Sequence, residues 1–453
     1  FDRTVHKGDL TGIEIINRLS EQVWSRGIGR LEEHRAVELI KTADGSALAG
    51  VLMIDMRSGE FVFVQAKAVL LATGGGPTMY RYHTPSGDKS CDGLAMALRA
   101  GLPVRDMEMV QFHPTGLLAG AGTRMTGTVL EEGLRGSGGY LLNGDKQRFM
   151  ERYDARLERA TRDIVSRSIF SEMRSGRTSP NGGVYIQMSH LGPENVRRQF
   201  KGMVERCADC GFDLAGDLVE VVPTAHYMMG GVVFRADCST PLAGLFAAGE
   251  DTGGVHGANR LGGNGVANST VFGGIAGDSM GHWVTQQGRW RAADETAIEA
   301  SMCAHLAPFT MPPGNLEPIR EALFDCMWED VGILRDARGL QRALAKLAEL
   351  DAQLSATGLA DGDRGFNLSW HDWMNLRSLL AVSRVIATAA LEREDSRGAH
   401  FREDHPETGD LPSSTYIVIT QDGQKLSTSR EPVRFSRVAP GQSTIATSAL
   451  QDA

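Results

Sequence analysis

The residues from Gly257 to Val266, Gly-Ala-Asn-Arg-Leu-Gly-Gly-Asn-Gly-Val, combine backbone and side-chain groups that could bind an anion. They place Arg260 among glycines and asparagines, directly before a run of small residues, 269–276, that predicts a helix. Glycines leave backbone N–H groups accessible, a helix N-terminus attracts negative charge, and a guanidinium group binds a carboxylate or phosphate through two hydrogen bonds. The stretch therefore predicts an anion site, with a glycine-rich surface turn and a solvated arginine as the alternative.

Two further segments set a histidine among turn-forming residues beside apolar runs. Gln111-Phe-His-Pro-Thr-Gly116 contains His113, and Pro223-Thr-Ala-His-Tyr-Met-Met-Gly-Gly231 contains His226. Acidic and basic residues lie between them in Glu131-Glu-Gly-Leu-Arg135 and at Arg162. A lone histidine is more often structural than catalytic, and charge pairs at this spacing usually lie on solvated helix faces. Taken singly, these segments do not predict a site.

Two apolar runs that end at glycines predict strands that could position a ligand. Ala68–Ala72 is apolar throughout and stops at Thr73-Gly-Gly-Gly76, and the same pattern recurs from Gly244 to Glu250. A strand that is apolar on both faces and ends at glycines is typical of a buried parallel strand with a ligand at its carboxyl end. Because the two runs are far apart in sequence, they predict one doubly wound α/β domain interrupted by an insertion at about 116–221.

The second half of the chain has a different pattern. Leucine stripes over 340–354 and 376–386 predict a helical bundle, and Ser369 with Asp372 predicts a capping box before the second stripe. Residues 415–420, followed by Asp422-Gly423, predict a hairpin near the C-terminus.

Composition narrows the classes of function. The formal net charge is −9 at pH 7 without a basic block, which argues against a nucleic-acid partner. No apolar run approaches 18 residues, so we do not expect a direct membrane span. The six cysteines are scattered, as is typical of reduced thiols, and the single Cys207-x-x-Cys210 pair is weak support for a metal or redox site. We therefore expect no bound metal.

The motifs together resemble those of one family, in the same order over nearly the whole chain. The sequence is similar to the flavoprotein subunit of succinate dehydrogenase and fumarate reductase, a superfamily that also includes L-aspartate oxidase. The residues that carry the resemblance are Asp9-Leu-Thr-Gly12, Ala72-Thr-Gly-Gly75, Cys91-Asp-Gly93, Gln111-Phe-His-Pro-Thr-Gly116, Glu132-Gly-Leu-Arg-Gly136, Arg162-Asp-Ile-Val-Ser-Arg167, His226-Tyr-Met-Met-Gly-Gly231, Gly249-Glu250, His256-Gly-Ala-Asn-Arg-Leu-Gly-Gly-Asn264 and Ser396-Arg-Gly-Ala-His-Phe-Arg-Glu-Asp404.

The resemblance implies the fold class and the cofactor. The expected fold is α/β: a doubly wound FAD-binding domain (1–115 and 222–289) interrupted by an α+β capping domain (116–221), then a helical domain (290–400) and a C-terminal region with a hairpin (401–453). The expected cofactor is FAD. The residues implied to bind it are Ala72, Thr73, Gly74, Gly75, Asp92, Glu250, Gly265 and Val266.

The resemblance also implies an enzyme that interconverts succinate and fumarate, or a close dicarboxylate, by hydride transfer to or from N5 of FAD. His226 and Arg260 would bind one substrate carboxylate, and His113 would help to hold the other. Arg162 would exchange a proton with the substrate, with Glu132 and Arg135 at the relay positions. Arginine is a poor general base because its pKa is above 12, so this role requires such a relay.

Glu131 departs from the family pattern, because threonine usually occupies this position and donates its hydroxyl to the substrate carboxylate. A carboxylate there would repel a dicarboxylate unless it is protonated or turned away, and burial beside Glu132 would raise one pKa of the pair. The loop before Glu131 is longer than usual and offers three other hydroxyl groups, those of Thr123, Thr126 and Thr128. We place Glu131 among the substrate-binding residues and leave the exact substrate open.

Two other expectations concern cofactor binding and electron transfer. The N-terminal strand with its G-x-G-x-x-G fingerprint is absent from a sequence that starts at Phe1, so we expect weak FAD binding by this chain alone. No C-x2-C-x2-C-x3-C-P run is present, so we expect electrons to leave through an iron–sulfur subunit of a respiratory complex or to a small acceptor. The resemblance then implies a cytoplasmic protein, peripheral at the inner face of the membrane through partner subunits. The two alternatives are L-aspartate oxidase and a catalytically silent flavoprotein-like scaffold or fragment.

Overall fold

The computed structural model describes residue 7 and residues 11–120, 123 and 125–442 of the chain, so the motif residue Asp9 lies outside the described part. The α-helices in the described part are α1 (Thr11–Ser25), α2 (Asp92–Arg99), α3 (Glu132–Gly136), α4 (Arg162–Arg174), α5 (Pro193–Gln199), α6 (Lys201–Ala208), α7 (Asn264–Gln286), α8 (Glu295–Leu306), α9 (Glu317–Glu329), α10 (Ala337–Ser355) and α11 (Leu368–Glu392). The strands there are β1 (His34–Lys41), β2 (Leu48–Asp55), β3 (Glu60–Gln65), β4 (Val69–Leu71), β5 (Val104–Arg105), β6 (Val110–Leu117), β7 (Tyr140–Leu142), β8 (Val184–Gln187), β9 (Leu218–Met228), β10 (Gly231–Val232), β11 (Leu245–Ala247), β12 (Thr415–Asp422) and β13 (Lys425–Pro432).

The two apolar runs that end at glycines form parallel strands, which confirms that prediction. β4 and β11 pair with Leu70 opposite Phe246. Each strand is followed by a glycine in the left-handed region, Gly74 at φ +79° and Gly249 at φ +77°. Residues with a Cβ rarely adopt this conformation, so the glycines allow the chain to turn sharply at the carboxyl edge of the sheet. The strands thus direct their following loops to one common edge.

The segment between these strands contains an antiparallel sheet in the order β6-β9-β8-β7. Helix α4 packs against β6, and the two share a core that includes Leu117, Val165, Ile169 and Val221, all fully buried. The two long strands β6 and β9 cross the boundaries 116 and 221 of the predicted capping domain. They therefore connect its sheet directly to the residues that flank it.

The helical part consists of α8 to α11, with α10 and α11 packed against each other. The predicted capping box at Ser369 and Asp372 is wrong, because the N-cap of α11 is Asn367, whose side chain accepts a hydrogen bond from Trp370 N. The predicted N-cap, Ser369, differs from the observed one because α11 starts two residues earlier, directly after Asn367. By length and composition alone α11 could span a membrane, but 67% of its most apolar window is buried inside the protein. Its apolar residues therefore belong to the core.

The C-terminal hairpin forms as predicted, with β12 and β13 antiparallel on either side of Gly423. It does not stand apart from the other domains. β12 pairs with β5, placing Ile419 opposite Val104, and the sheet continues to β10 in the order β10-β5-β12-β13. The hairpin of the C-terminal region thus completes a sheet whose other strands, β5 and β10, come from the predicted FAD-binding domain.

Candidate active site

Strands β6 and β9 hold the two candidate histidines side by side. Their antiparallel pairing is interrupted between His113 and Gly116, and such irregularities change the direction of side chains. The ring centroids of His113 and His226 lie 5.5 Å apart. Burial, followed by the charge of Arg162, lowers the pKa of His113 well below its usual value and that of His226 to about 3. Both imidazoles are therefore neutral near pH 7.

The Nδ1 atoms of both histidines have partners that the sequence did not reveal. Thr115 N lies 3.3 Å from His113 Nδ1 and donates to it. Thr84 Oγ lies 2.9 Å from His226 Nδ1. Thr84 is a functional candidate that sequence reasoning missed, because nothing local connects it with a strand about 140 residues further along the chain.

Arg162 and Arg135 both lie against Glu132, and these are the three residues for which the resemblance implies a relay. Glu132 is the first residue of α3 and Arg162 the first of α4. Arg162 donates to Glu132 Oε2 from Nη2 at 2.8 Å and from Nε at 3.2 Å, while Arg135 Nη2 lies 3.6 Å from Glu132 Oε1. Burial raises the pKa of Glu132, but the charges of Arg162 and Arg135 outweigh it and the net shift is downward. Glu132 is therefore an ionised bridge between two guanidinium groups.

Arg135 is unusual in being fully buried without a complete set of hydrogen-bond partners. Its Nη1 donates to Glu158 O at 2.7 Å, and its Nε has no hydrogen-bond partner in the described part of the chain. Burial lowers the pKa of Arg135 to about 10. An incompletely solvated guanidinium group gives up a proton more readily than a solvated one, which suits a relay position.

The stretch that the sequence predicts to bind an anion, 257–266, lies against Arg162 and Glu132. A Cβ on Gly262 would stand 3.3 Å from Glu132 Oε2 and 3.8 Å from Arg162 Nη2. The Arg260 guanidinium lies over the Tyr227 ring at 4.4 Å, and its Nε is buried without a partner among the described residues. Burial and the charge of Arg162 lower the pKa of Arg260 to about 10. Arg260 is thus held by its aromatic neighbour rather than by a carboxylate.

Gln111 connects the two arginines. Its Nε2 donates to Arg260 O at 2.7 Å and to Asn259 Oδ1 at 2.9 Å, and its Oε1 accepts from Arg162 Nη1 at 3.3 Å. Six predicted residues thus lie together, and we call them the pocket cluster: His113, Glu132, Arg135, Arg162, His226 and Arg260. The structure brings the whole set together from β6, β9, α3, α4 and the loop before α7.

Glu131 lies at the edge of the pocket cluster, as the N-cap residue of α3. A Cβ on Gly133 would stand 3.7 Å from its carboxylate carbon and from one carboxylate oxygen, so the side chain lies over the first turn of α3. Two of the candidate threonines make hydrogen bonds within their own loop. Thr126 Oγ donates to Gly120 O at 3.2 Å, and Thr123 Oγ accepts from Met125 N at 3.1 Å. Thr128 is half-buried beside them.

The residues predicted to bind the cofactor follow the carboxyl edge of β4 and β11. Thr73, Gly74, Gly75 and Asp92 line a cleft of about 1070 Å³, and Ala72 precedes them at the strand end. A Cβ on Gly75 would lie 2.2 Å from Glu250 Oε1, so only glycine fits between this carboxylate and the cleft. The glycine turn and the cleft fit a dinucleotide cofactor, which needs close approach to the backbone.

Gly265 and Val266 extend this line of residues to the pocket cluster. They lie in the first turn of α7, which starts at Asn264, five residues before the predicted helix. A Cβ on Gly265 would stand 3.0 Å from Tyr227 Cε2 and 3.3 Å from Arg260 Nη1. The candidate cofactor residues and the candidate substrate residues therefore meet at Gly265.

Asp251 is a further residue that sequence reasoning missed. It is fully buried and accepts hydrogen bonds from Thr73 Oγ at 2.8 Å and from Gly74 N at 3.0 Å. Burial raises the pKa of Asp251 to about 6, and that of the neighbouring Glu250 to about 7. Asp251 follows β11, and its two hydrogen bonds hold the turn that follows β4. In the sequence, the adjacent Gly249-Glu250 motif is the one signal that could have indicated Asp251.

Comparison with known proteins agrees with this geometry. Residues 2–266 match the family described as FAD binding domain, and residues 320–445 match the one described as fumarate reductase flavoprotein C-term. The chain belongs to the succinate dehydrogenase/fumarate reductase flavoprotein family. It is a flavin-dependent oxidoreductase, and its cofactor is FAD.

Individual relatives support this assignment over most of the chain. The sequence is 39% identical over 410 residues to a subunit of the fumarate reductase (CoM/CoB) of Methanothermobacter marburgensis, covering 90% of this chain and 73% of the relative. It is 34% identical to L-aspartate oxidase 1 of Ralstonia nicotianae, covering 94% and 77%. The structure matches a variant of E. coli quinol fumarate reductase FrdA with a TM-score of 0.90 at 31% identity, covering 98% and 78%.

Membership in the family confirms the predicted fold class and cofactor. It also removes the alternative of a silent scaffold, because the chain is an oxidoreductase. The domain boundaries and the roles of individual site residues stay predictions.

Proposed function

We propose that this flavoprotein interconverts succinate and fumarate, or a close dicarboxylate, with Arg162 as the proton-transfer residue. The observation that carries the proposal is the hydrogen bond of 2.8 Å from Arg162 Nη2 to Glu132, in a cluster that also holds Arg260 and two neutral histidines. This set combines anion binding with a route for a proton.

The charge of the pocket cluster selects the class of substrate. Its three guanidinium groups (Arg135, Arg162, Arg260) and one carboxylate (Glu132) give 3 − 1 = +2, because both imidazoles are neutral. A buried excess of two positive charges is unfavourable without an anion, and a molecule with two carboxylates neutralises it. A dicarboxylate therefore stabilises the site by binding to it.

The roles of the substrate-binding residues follow from their donors. Arg260 presents an unpartnered Nε, and with His226 it would hold one carboxylate by charge-assisted hydrogen bonds. His113, whose Nδ1 already accepts from Thr115 N, would donate from Nε2 to the other carboxylate. Two such clamps fix the central carbon–carbon bond of the substrate, so catalysis rests largely on positioning.

Arg162 acts most simply as a proton donor. A guanidinium group already carries the proton that a developing carbanion would take, so it is better suited to give a proton than to take one from a methylene group. Glu132 and Arg135 would return the proton from the protein side. The residues that would hold FAD are Ala72, Thr73, Gly74, Gly75, Asp92, Glu250, Gly265 and Val266, and the flavin would supply the donor or acceptor of the hydride.

Electrons would reach or leave this chain through a partner protein or a small acceptor. The supporting observations are that its sequence has no iron–sulfur binding run and that relatives are named as subunits of larger enzymes. We propose that the partner is an iron–sulfur subunit, which would also bring the chain to the membrane periphery.

L-aspartate is the second candidate substrate, favoured by the 34% identity to L-aspartate oxidase 1 of Ralstonia nicotianae. The test is turnover by the FAD-loaded chain with three dicarboxylates and one tricarboxylate: fumarate with a reduced dye, and succinate, L-aspartate and the tricarboxylate tricarballylate with an oxidised dye or oxygen. Turnover of fumarate and succinate is expected. Peroxide formation from L-aspartate alone would assign the oxidase reaction, and no turnover of any of the four would refute the proposal.

A further inference from the structure

Thr84 is fixed next to the pocket cluster by a short strap of chain, residues 82–84, that pairs with β9. Ala225 N donates to Tyr82 O at 2.8 Å, and Thr84 N donates to Ala225 O at 2.9 Å. The pairing at Ala225 places the strap one residue before His226 and brings the Thr84 hydroxyl to 2.9 Å from His226 Nδ1. The backbone pairing, not the hydroxyl itself, determines this position.

The two histidines differ in how their tautomer is set. A backbone N–H can only donate, so Thr115 N forces His113 Nδ1 to accept and leaves the ring proton on Nε2. A threonine hydroxyl can donate or accept, so the partner of His226 permits either tautomer. Because burial and the nearby Arg162 and Arg260 charges keep His226 neutral, its two ring nitrogens are one donor and one acceptor.

We propose that Thr84 is a positioning residue that donates its hydroxyl hydrogen to His226 Nδ1 and so keeps the ring proton on Nε2, where it donates to a substrate carboxylate. In the opposite tautomer, Nε2 would direct a lone pair at the carboxylate and repel it. The proposal rests on the proposed function, because a carboxylate is the group that Nε2–H would bind.

The tautomer of His226 can be measured without substrate or turnover. In the FAD-loaded chain labelled with 15N-histidine, the His226 signals are assigned by their loss in His226→Gln. We expect a protonated Nε2 and an unprotonated Nδ1 in the native chain, and a mixture of tautomers in Thr84→Val, which keeps the side-chain shape but has no hydroxyl. A protonated Nδ1 in the native chain, or an unchanged tautomer in Thr84→Val, would overturn the proposal.

Kinetics provide the second test, with the dicarboxylate that the chain turns over. Thr84→Val should raise KM about tenfold and change kcat less than threefold, because one donor to the bound carboxylate is weakened. Thr84→Ser should restore KM to within about twofold. The matched control is Thr310→Val, at an exposed threonine whose hydroxyl donates to Ala307 O within its own helical turn, and it should have the native KM.

The two tests separate failure of this inference from failure of the proposed function. If the native chain turns over no dicarboxylate, the proposed function fails, while the nitrogen spectra still decide whether Thr84 sets the tautomer. If turnover is normal but Thr84→Val has the native KM, or Thr84→Ser is as impaired as Thr84→Val, the role of Thr84 is refuted and the proposed function stands.

Discussion

Two groups of buried arginines and histidines in the described part of the chain differ in how their charges are balanced. One is the pocket cluster. The other, which we call the core charge cluster, lies between β6, α11 and the loop after α11. It consists of Asp106, Glu108, Arg335, Arg393, His400, Arg402 and Asp404.

In the core charge cluster each arginine donates to groups of the protein, although Nη2 of Arg335 is buried without a partner in the described part of the chain. Arg393 Nε donates to Glu108 at 2.5 Å, and Arg402 donates to both carboxylate oxygens of Asp404, at 2.8 and 2.9 Å. Arg335 donates to Glu108 O at 2.8 Å and to His400 Nδ1 at 2.7 Å. With Asp106 ionised, three carboxylates balance the three guanidinium groups of the core charge cluster, and with Asp106 protonated the excess is one positive charge. The pocket cluster has an excess of two positive charges.

The difference shows what separates a structural cluster from a binding site in this molecule. Buried charges that are paired within the protein need nothing further, and removing one of them leaves another uncompensated. Buried charges in excess need a ligand, and removing one of them costs function rather than folding. The same residue types therefore predict opposite responses to substitution in the two clusters.

The largest effect is expected in the pocket cluster. Arg162→Gln should lower kcat by about 10²–10⁴-fold, because general acid catalysis contributes that much, with the thermal midpoint changed by only a few degrees. Steady-state kinetics and thermal unfolding of the FAD-loaded chain measure the two responses. Loss of the native fold in Arg162→Gln would show that Arg162 belongs with the structural arginines instead.

The core charge cluster should respond in the opposite way. Arg393→Met leaves fully buried Glu108 without its partner and should lower the free energy of unfolding by about 3–5 kcal/mol, measured in denaturant. The double variant Arg393→Met/Glu108→Gln should recover much of this loss. The exposed pair Arg174–Glu403 is the control, since Arg174→Gln should cost less than about 1 kcal/mol.

The resemblance to the family predicted the pocket cluster, and local sequence patterns did not predict the core charge cluster. Of the pocket residues only Arg260 was recognisable from its surroundings, because it stands among glycines and asparagines before a helix, whereas His113 alone did not predict a site. The partners that complete each cluster come from distant segments: Thr84 reaches His226, and Arg393 reaches Glu108 across 285 residues. Local periodicity in the sequence does not predict such contacts between distant residues, because they form only when the folded chain brings the segments together.

The same limit applies to the elements. The parallel pair β4 and β11 could be predicted because each strand carries its own apolar run and glycine turn. The pairing of the C-terminal hairpin with β5 could not, because the two-residue strand Val104–Arg105 has no pattern of its own. The misplaced capping box before α11 has a local cause, since Ser369 and Asn367 are both good N-caps and only the fold distinguishes them.

The third prediction concerns the pH dependence of the core charge cluster. Burial, then the neighbouring Glu108, raises the pKa of Asp106 to about 7. In the folded chain Asp106 thus keeps a proton that it releases near pH 4 in the unfolded chain. Because of this group, the free energy of unfolding falls as the pH rises from about 4 to 7. Asp106→Asn should reduce the fall in free energy of unfolding between pH 5 and 8 by about 2 kcal/mol. Asparagine also suits the backbone, since Asp106 has φ +54°.

Denaturant unfolding at pH 5 and pH 8 checks this prediction. Asp217→Asn, at an exposed aspartate, is the matched control and should keep the native pH dependence. An equal pH dependence in Asp106→Asn and the native chain would mean that Asp106 stays ionised through this range and that the core charge cluster is balanced at every pH.

The smallest effect is expected at Glu131, at the edge of the pocket cluster. Its carboxylate reduces the positive excess that attracts a dicarboxylate, so Glu131→Gln should lower KM for fumarate or succinate about three- to fivefold, as expected for about 1 kcal/mol of partly screened repulsion. Exposed Glu194, on α5, is the control, and Glu194→Gln should have the native KM. For L-aspartate we expect the opposite change in KM. Its ammonium group is attracted to a nearby carboxylate, so Glu131→Gln should raise KM for L-aspartate. If Glu131→Gln lowers KM for L-aspartate as much as for succinate, the prediction is wrong. Glu131 would then affect only the total charge of the pocket cluster and would not distinguish between these substrates.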